Sequence, residues 1–242
     1  MGSQVKPSGT HDDLMAGKLR GRGFTVLRGV LLVLCRILLG MKIHGLNNVP
    51  AKGPLIVVSN HLHNADPLLV SVACPRPVHF MAKKELMTVP LIGRIIRFGG
   101  GFPVDRGKAD RKAIQMAAAH VKQEIAVGMF PEGTRSVSRT IERALPGAGL
   151  IALRGNAPIL PVAIVGSERI PFNGAKQFKG ERKRVERRKG VTITFGEPFM
   201  LELKPDGKRM SAEEAVNMAM ERVAAMLPEE YRGIYGTHHS GA

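Results

Sequence analysis

Leu55-Ile56-Val57-Val58-Ser59-Asn60-His61-Leu62-His63-Asn64-Ala65-Asp66-Pro67 reads as a strand, a polar loop and the start of a helix in one stretch. The apolar run over 55–58 has the character of a buried strand, and Pro67 suits the first turn of a helix. His61 therefore stands where a strand ends, and Asp66 where a helix begins. In that setting an imidazole and a carboxylate can meet above the edge of a sheet. The carboxylate fixes the imidazole tautomer and stabilises its protonated form, so the second ring nitrogen is free to take a proton. Two plainer readings stay open on these residues alone. Asp66 is also placed as a helix cap. His61, His63 and Asp66 have ligand types that suit zinc, although no cysteine or second compact histidine cluster completes such a site. His79 and His120 stand alone.

A second segment, Phe130-Pro131-Glu132-Gly133-Thr134-Arg135-Ser136, follows another short apolar run at 125–129. Gly133 permits backbone geometry in which amides point at an anion. Arg135 carries a planar fork that matches phosphate, with Glu132 close enough in sequence to orient it. The competing reading is a surface turn with a local Glu-Arg pair of little energetic value. Between the two segments lies Gly99-Gly100-Gly101-Phe102-Pro103-Val104-Asp105-Arg106-Gly107, where Arg106 offers a second cation. No Gly-Lys-Ser/Thr follows these glycines, which excludes a nucleotide-binding P-loop.

Around these blocks apolar runs alternate with helical patterns. Strands are expected at 55–59, 78–82, 101–104, 125–130, 159–165 and 191–195. Helices are expected at 67–73, 91–98, 108–124, 148–154 and 211–226, the last opening on a Ser211-Ala212-Glu213-Glu214 capping box. This alternation predicts a layered α/β domain whose mixed or largely parallel sheet is flanked by helices. One domain is expected over 42–232. A polar tail and an amphipathic membrane-interface helix precede it (1–41), and a disordered tail follows it (233–242).

The charge balance narrows the partners. Lysine and arginine number 36 against 20 acidic residues, a net charge of +16, which calls for something anionic. Two tyrosines, no tryptophan and no nucleic-acid motif argue against nucleic acid. Two cysteines, Cys35 and Cys74, make no disulfide framework and fit a reducing compartment. Basic residues concentrate over 176–189, either as a solvated loop or as a dock for anionic headgroups. Near the N-terminus the leucine-rich run over 24–39 carries Arg28 and Arg36 on one helical face. It is shorter and more charged than a spanning helix, so it reads as a helix lying in the headgroup layer with snorkelling arginines, with a spanning anchor as the second reading.

Taken in order, the blocks resemble the glycerolipid acyltransferases, the 1-acylglycerol-3-phosphate acyltransferase family. Asn60-His61 with Asp66, Gly101-Phe102 with Arg106, and Phe130 to Ser136 match its successive motifs. The apolar strand Ala157-Pro158-Ile159-Leu160-Pro161-Val162 matches a fourth, and the resemblance covers roughly residues 42–198. It implies that His61 is the general base and Asp66 its orienting partner. Arg106, Arg135 and Lys83 would hold the acceptor's phosphate, and Glu132 and Gly133 would shape that site. The family often carries serine two positions after the histidine, where this chain has His63. The implied reaction moves a fatty acyl chain from an acyl-CoA or acyl carrier protein thioester to the free hydroxyl of 1-acylglycerol 3-phosphate, giving phosphatidate. Transfer to glycerol 3-phosphate or a lyso-aminolipid, and a non-catalytic lipid-binding module, stay open as alternatives. The implied reaction needs no cofactor, no metal and no acyl-enzyme. An anionic membrane surface on the cytoplasmic face of the cell membrane is the implied setting.

Overall fold

The computed structural model describes residues 22–104, 111–171, 173, 190–202, 207–208 and 210–236. Arg106 and the basic run over 176–189 lie outside the described residues.

Seven strands form one sheet: β1 (Lys42–His44), β2 (Leu55–Ser59), β3 (Val78–Lys83), β4 (Phe102–Val104), β5 (Ala126–Met129), β6 (Ile159–Val165) and β7 (Thr192–Phe195). Their order is β1-β7-β6-β2-β5-β3-β4. The five strands from β6 to β4 run parallel, β7 is antiparallel to β6, and β1 is parallel to β7. This is the mixed, largely parallel sheet expected. The sequence pattern missed β1, a three-residue edge strand whose burial only alternates and so leaves no apolar run.

The helices are α1 (Arg22–Leu39), α2 (Asp66–Ala73), α3 (Lys84–Met87), α4 (Pro90–Phe98), α5 (Arg111–Lys122), α6 (Gly147–Gly155), α7 (Ala212–Ala225) and α8 (Glu229–Arg232). Parallel strands buried on both faces need a helix layer on each side. Ile56, Val58, Val127 and Ile159 pack with Ala117 of α5, Ile151 of α6 and Met220 of α7. Leu55, Val57, Leu160 and Ile193 pack on the opposite face with Leu69 and Val70 of α2, and Leu31, Leu32, Cys35 and Leu39 of α1 join them. All of 55–58 is fully buried. At roughly 1.5–3 kcal/mol for each large apolar side chain removed from water, β2 is a principal source of core stability.

Local signals hold where the chemistry is local. Ser211 accepts from the Glu214 amide at 3.1 Å, while the Ser211 amide donates to Glu214 Oε2 at 2.8 Å. That reciprocal pair starts α7 one residue inside the expected boundary. Residues 233–236, expected from the sequence to open a disordered tail, belong to the described residues. Gly233–Tyr235 form a 3-10 turn, in which the Ile234 amide donates to the Ile141 carbonyl and Tyr235 donates to Asn217.

Helix α1 departs from its expected charge pattern. Arg28 does not snorkel to a water face: it is half-buried and donates to the Ala73 carbonyl at 3.1 Å, at the C-terminal end of α2. Helix C-termini carry free carbonyls that a guanidinium satisfies well. Arg36 remains exposed. The face turned away from the core shows Val26, Leu27, Val30, Val33, Leu34, Ile37 and Leu38 to solvent. Among the described residues, no helix is long and apolar enough to cross a membrane.

Candidate active site

Because β2, β5, β3 and β4 run parallel, the chain leaves all four at the same edge of the sheet. Ligand sites of open α/β sheets form at such carboxyl ends. His61 follows β2, Glu132 follows β5, and Lys83 ends β3 opposite Val104 of β4.

His61 Nδ1 lies 2.9 Å from Asp66 Oδ2, and both residues are buried. The same oxygen accepts the amides of Leu62 at 2.7 Å and His63 at 2.6 Å. Asp66 opens α2 yet caps none of that helix's own amides; its carboxylate serves the loop before it. A carboxylate accepts only, so Nδ1 carries the proton and Nε2 presents a lone pair. Nε2 has no hydrogen-bond partner among the described residues.

The loop around His61 is held on several sides. The Asn60 side chain accepts from the Ile164 amide at 2.8 Å and donates to the Ile164 carbonyl at 2.9 Å, continuing the pairing of β2 with β6. The His61 amide donates to Glu132 Oε1 at 2.8 Å, and its carbonyl accepts from the Ser136 amide at 2.8 Å. Both backbone groups of the histidine are thus fixed by the segment over 130–136. The imidazole stacks on Phe130 with centroids 4.2 Å apart, and Phe130 on Phe80 at 5.3 Å. Gly128 makes room for this stack, because a Cβ there would meet the Phe80 ring at 2.3 Å.

Glu132 does not orient Arg135, as its place in sequence suggested; it faces the His61 backbone. Burial pushes its carboxyl up to about 8, so it is mostly neutral at pH 7, when Oε1 still accepts a hydrogen bond. Gly133 takes a positive φ of 71° in a turn where its amide donates to Phe130 at 3.0 Å. That amide is committed to the turn, so the expected anion contact through it is not available.

Arg135 is held by Asn173, a residue outside every motif. Its Nη1 donates to the Asn173 carbonyl and to Asn173 Oδ1, the latter at 2.8 Å. Nη2 and Nε make no hydrogen bond among the described residues. Lys83 is exposed at the end of β3, 3.5 Å from Glu85. Such an exposed pair is worth little, which leaves the ammonium available to an anion.

His63 is differently employed from His61. Its Nδ1 accepts the Ala65 amide at 3.0 Å. Burial is the main cause that pushes its imidazole down, and Arg135 adds to it against the pull of Asp66. It is a neutral ring with one lone pair already engaged. No group of three His, Cys, Asp or Glu that could hold a metal ion occurs among the described residues. The Cys74 thiol, at the end of α2 remote from Asp66, is raised by burial, as is that of Cys35. Neither is poised as a nucleophile.

A family model described as Acyltransferase matches residues 40–165. The chain is similar to the 1-acyl-sn-glycerol-3-phosphate acyltransferase of Bacillus subtilis, with 30% identity over 78% of this chain and 91% of that protein. It is similar to the enzyme of the same name from Streptococcus pneumoniae, with 31% identity over 86% of this chain and 72% of that one. Its fold is like the crystal structure of the 1-acyl-sn-glycerophosphate (LPA) acyltransferase PlsC from Thermotoga maritima. There the TM-score is 0.61 at 24% identity, over 87% of this chain and 84% of the other.

Proposed function

Since the chain belongs to the Acyltransferase family, we propose that it transfers a fatty acyl group from an acyl thioester to the free hydroxyl of 1-acylglycerol 3-phosphate. The product is phosphatidate, a step of phospholipid biosynthesis. The observation that carries this reading is the buried His61–Asp66 pair at 2.9 Å with Nε2 uncommitted.

The chemistry follows from that pair. Nε2 takes the hydroxyl proton as the acceptor oxygen attacks the thioester carbonyl carbon. The tetrahedral oxyanion then collapses and breaks the C–S bond. The imidazolium returns its proton to the departing thiolate, so an ester and a free thiol leave and the histidine is restored. A thioester is already activated, which removes the need for a protein nucleophile. Arg135, with two guanidinium nitrogens uncommitted, suits the acceptor's phosphate, and Arg106 and Lys83 are assigned to the same anion. Glu132 and Gly133 shape the turn after β5 that carries Arg135 and holds the backbone of His61.

Setting and donor complete the proposal. The exposed apolar face of α1 lies in the headgroup layer on the cytoplasmic face of the cell membrane, as a peripheral or monotopic contact. Acyl-CoA or acyl carrier protein delivers the chain, and the charge of the basic run over 176–189 suits anionic headgroups or the donor's phosphates. No cofactor takes part.

The test is turnover in detergent or vesicles with a long-chain acyl-CoA and a series of acceptors: lysophosphatidate, glycerol 3-phosphate and an uncharged monoacylglycerol. Thiol release and lipid product are followed together. Phosphatidate formed in step with thiol, and preferred over the other products, is expected. Thiol release with equal use of the uncharged acceptor would overturn the substrate assignment.

A further inference from the structure

Asn173 ties three parts of the site together. Its Oδ1 accepts the Asn64 amide at 3.0 Å and Arg135 Nη1 at 2.8 Å, and its Nδ2 donates to the Leu62 carbonyl at 2.9 Å. Leu62 and Asn64 flank His63 in the loop between His61 and Asp66. The side chain is buried, so both lone pairs of Oδ1 and one amide proton are used inside the protein rather than on water. Its own carbonyl takes a second bond from the same Nη1. One residue thereby holds the guanidinium at a set position on the histidine loop.

The choice of an amide has an electrostatic consequence. An aspartate would accept the same bonds from Asn64 and Arg135, although it would lose the donation to the Leu62 carbonyl. It would also cancel the arginine's charge, and a paired arginine attracts a phosphate far less. Asparagine holds the fork without neutralising it, leaving Nε and Nη2 with a full positive charge to offer.

We infer that Asn173 is a positioning and specificity residue, a charge-neutral clamp that fixes Arg135 against the His61 loop so that a phosphate bound there sets the hydroxyl at Nε2. This rests on the functional reading above, in which Arg135 binds the acceptor's phosphate.

The test compares Asn173→Asp, Asn173→Ser, Asn173→Ala, Arg135→Ala and the Arg135→Ala/Asn173→Ala double variant, with thermal unfolding as the fold control. For Asn173→Asp, KM for lysophosphatidate is expected to rise tenfold or more. KM for acyl-CoA should change less than that, and the rate with an uncharged monoacylglycerol should fall by a clearly smaller factor than the rate with lysophosphatidate. Asn173→Ser, which keeps an uncharged acceptor oxygen, should fall between wild type and Asn173→Ala. The double variant should be no worse than Arg135→Ala alone, because the clamp acts through the arginine. Should the aspartate variant not fold, the alanine cycle decides the matter.

Additive losses in the cycle, or equal losses with charged and uncharged acceptors, would overturn the inference. So would loss of fold in every Asn173 variant, which would make the residue purely structural. Wild-type turnover separates the two levels of failure. If wild type does not prefer the phosphate-bearing acceptor, the functional reading falls. If it does and Asn173→Asp behaves like wild type, this inference alone falls.

Discussion

Replacing Asp66 with asparagine changes one charge and almost no volume, at a residue with no exposed surface. Its Oδ2 receives three donors: His61 Nδ1 and the amides of Leu62 and His63. An asparagine whose carbonyl oxygen stands where Oδ2 does keeps all three donors, and its NH2 group takes the place of Oδ1, which has no hydrogen-bond partner among the described residues. The tautomer is kept, but the negative charge that stabilises the imidazolium formed as Nε2 takes the acceptor's proton is gone. General base catalysis by a positioned imidazole contributes about 10²–10⁴. A loss of about 10²–10³ is expected here, or about 2.7–4 kcal/mol of barrier. Exchanging a charged acceptor for a neutral one also lowers stability by about 1–3 kcal/mol. The assay is thiol release with lysophosphatidate and acyl-CoA at saturating substrate, with circular dichroism and thermal unfolding alongside. The reasoning fails if folded Asp66→Asn retains a tenth or more of wild-type kcat. It fails equally if KM rises and kcat is untouched, because the loss of charge behind the imidazolium concerns the chemical step.

Three further outcomes are expected from other parts of the structure. Glu132 is raised from 4.5 to about 8 by burial, so the folded state holds its proton more tightly than the unfolded chain does. Its contribution to stability is therefore complete below about pH 4.5 and is lost as pH climbs through 8. The effect is several kcal/mol, at about 1.4 kcal/mol per tenfold change in proton affinity. Urea midpoints for wild type should consequently fall between pH 5 and 8.5 relative to Glu132→Gln, which keeps the acceptor for the His61 amide; parallel pH profiles would contradict this. Gly128→Ala drives a methyl into the Phe80 ring, on which the Phe130–His61 stack rests. It should cost about 1–3 kcal/mol in chemical denaturation together with lost activity, and an unchanged midpoint would show that the stack has slack. Leu34→Glu with Leu38→Glu alters two exposed leucines of α1 without touching the core; flotation with anionic vesicles should lose the protein while thermal unfolding stays put, and undiminished flotation would place the membrane contact elsewhere.

What was legible in the sequence is what depends on neighbours in the chain. The apolar run at 55–58 marked a buried strand, Pro67 marked the helix after it, and Ser211 with Glu214 marked a reciprocal cap. The meeting of His61 and Asp66 was readable for the same reason, since a strand end and a helix start are joined by a few residues. Long-range partnerships left no such trace. The grip of Asn173 on Arg135 spans a separation of 38 residues, and that of Asn60 on Ile164 spans 104. Nothing in the chain near Asn173 sets it apart from a loop asparagine. Glu132 was read as a partner of the nearby Arg135, whereas the end of β5 turns it toward the backbone of His61 on the adjacent β2. Arg28 was misread for a related reason. Helical spacing showed that it shares a face with Arg36, but not that α2 ends against that face with an unpaired carbonyl.

The central claim is that Nε2 of His61, and not His63, takes the acceptor's proton. Initial rates of phosphatidate formation for wild type, His61→Ala and His63→Ala, each confirmed folded by circular dichroism, test it most directly. The account predicts that His61→Ala loses at least a thousandfold in kcat, whereas His63→Ala stays within about tenfold of wild type. Comparable activity in His61→Ala and wild type, or the large loss falling on His63→Ala instead, would contradict it.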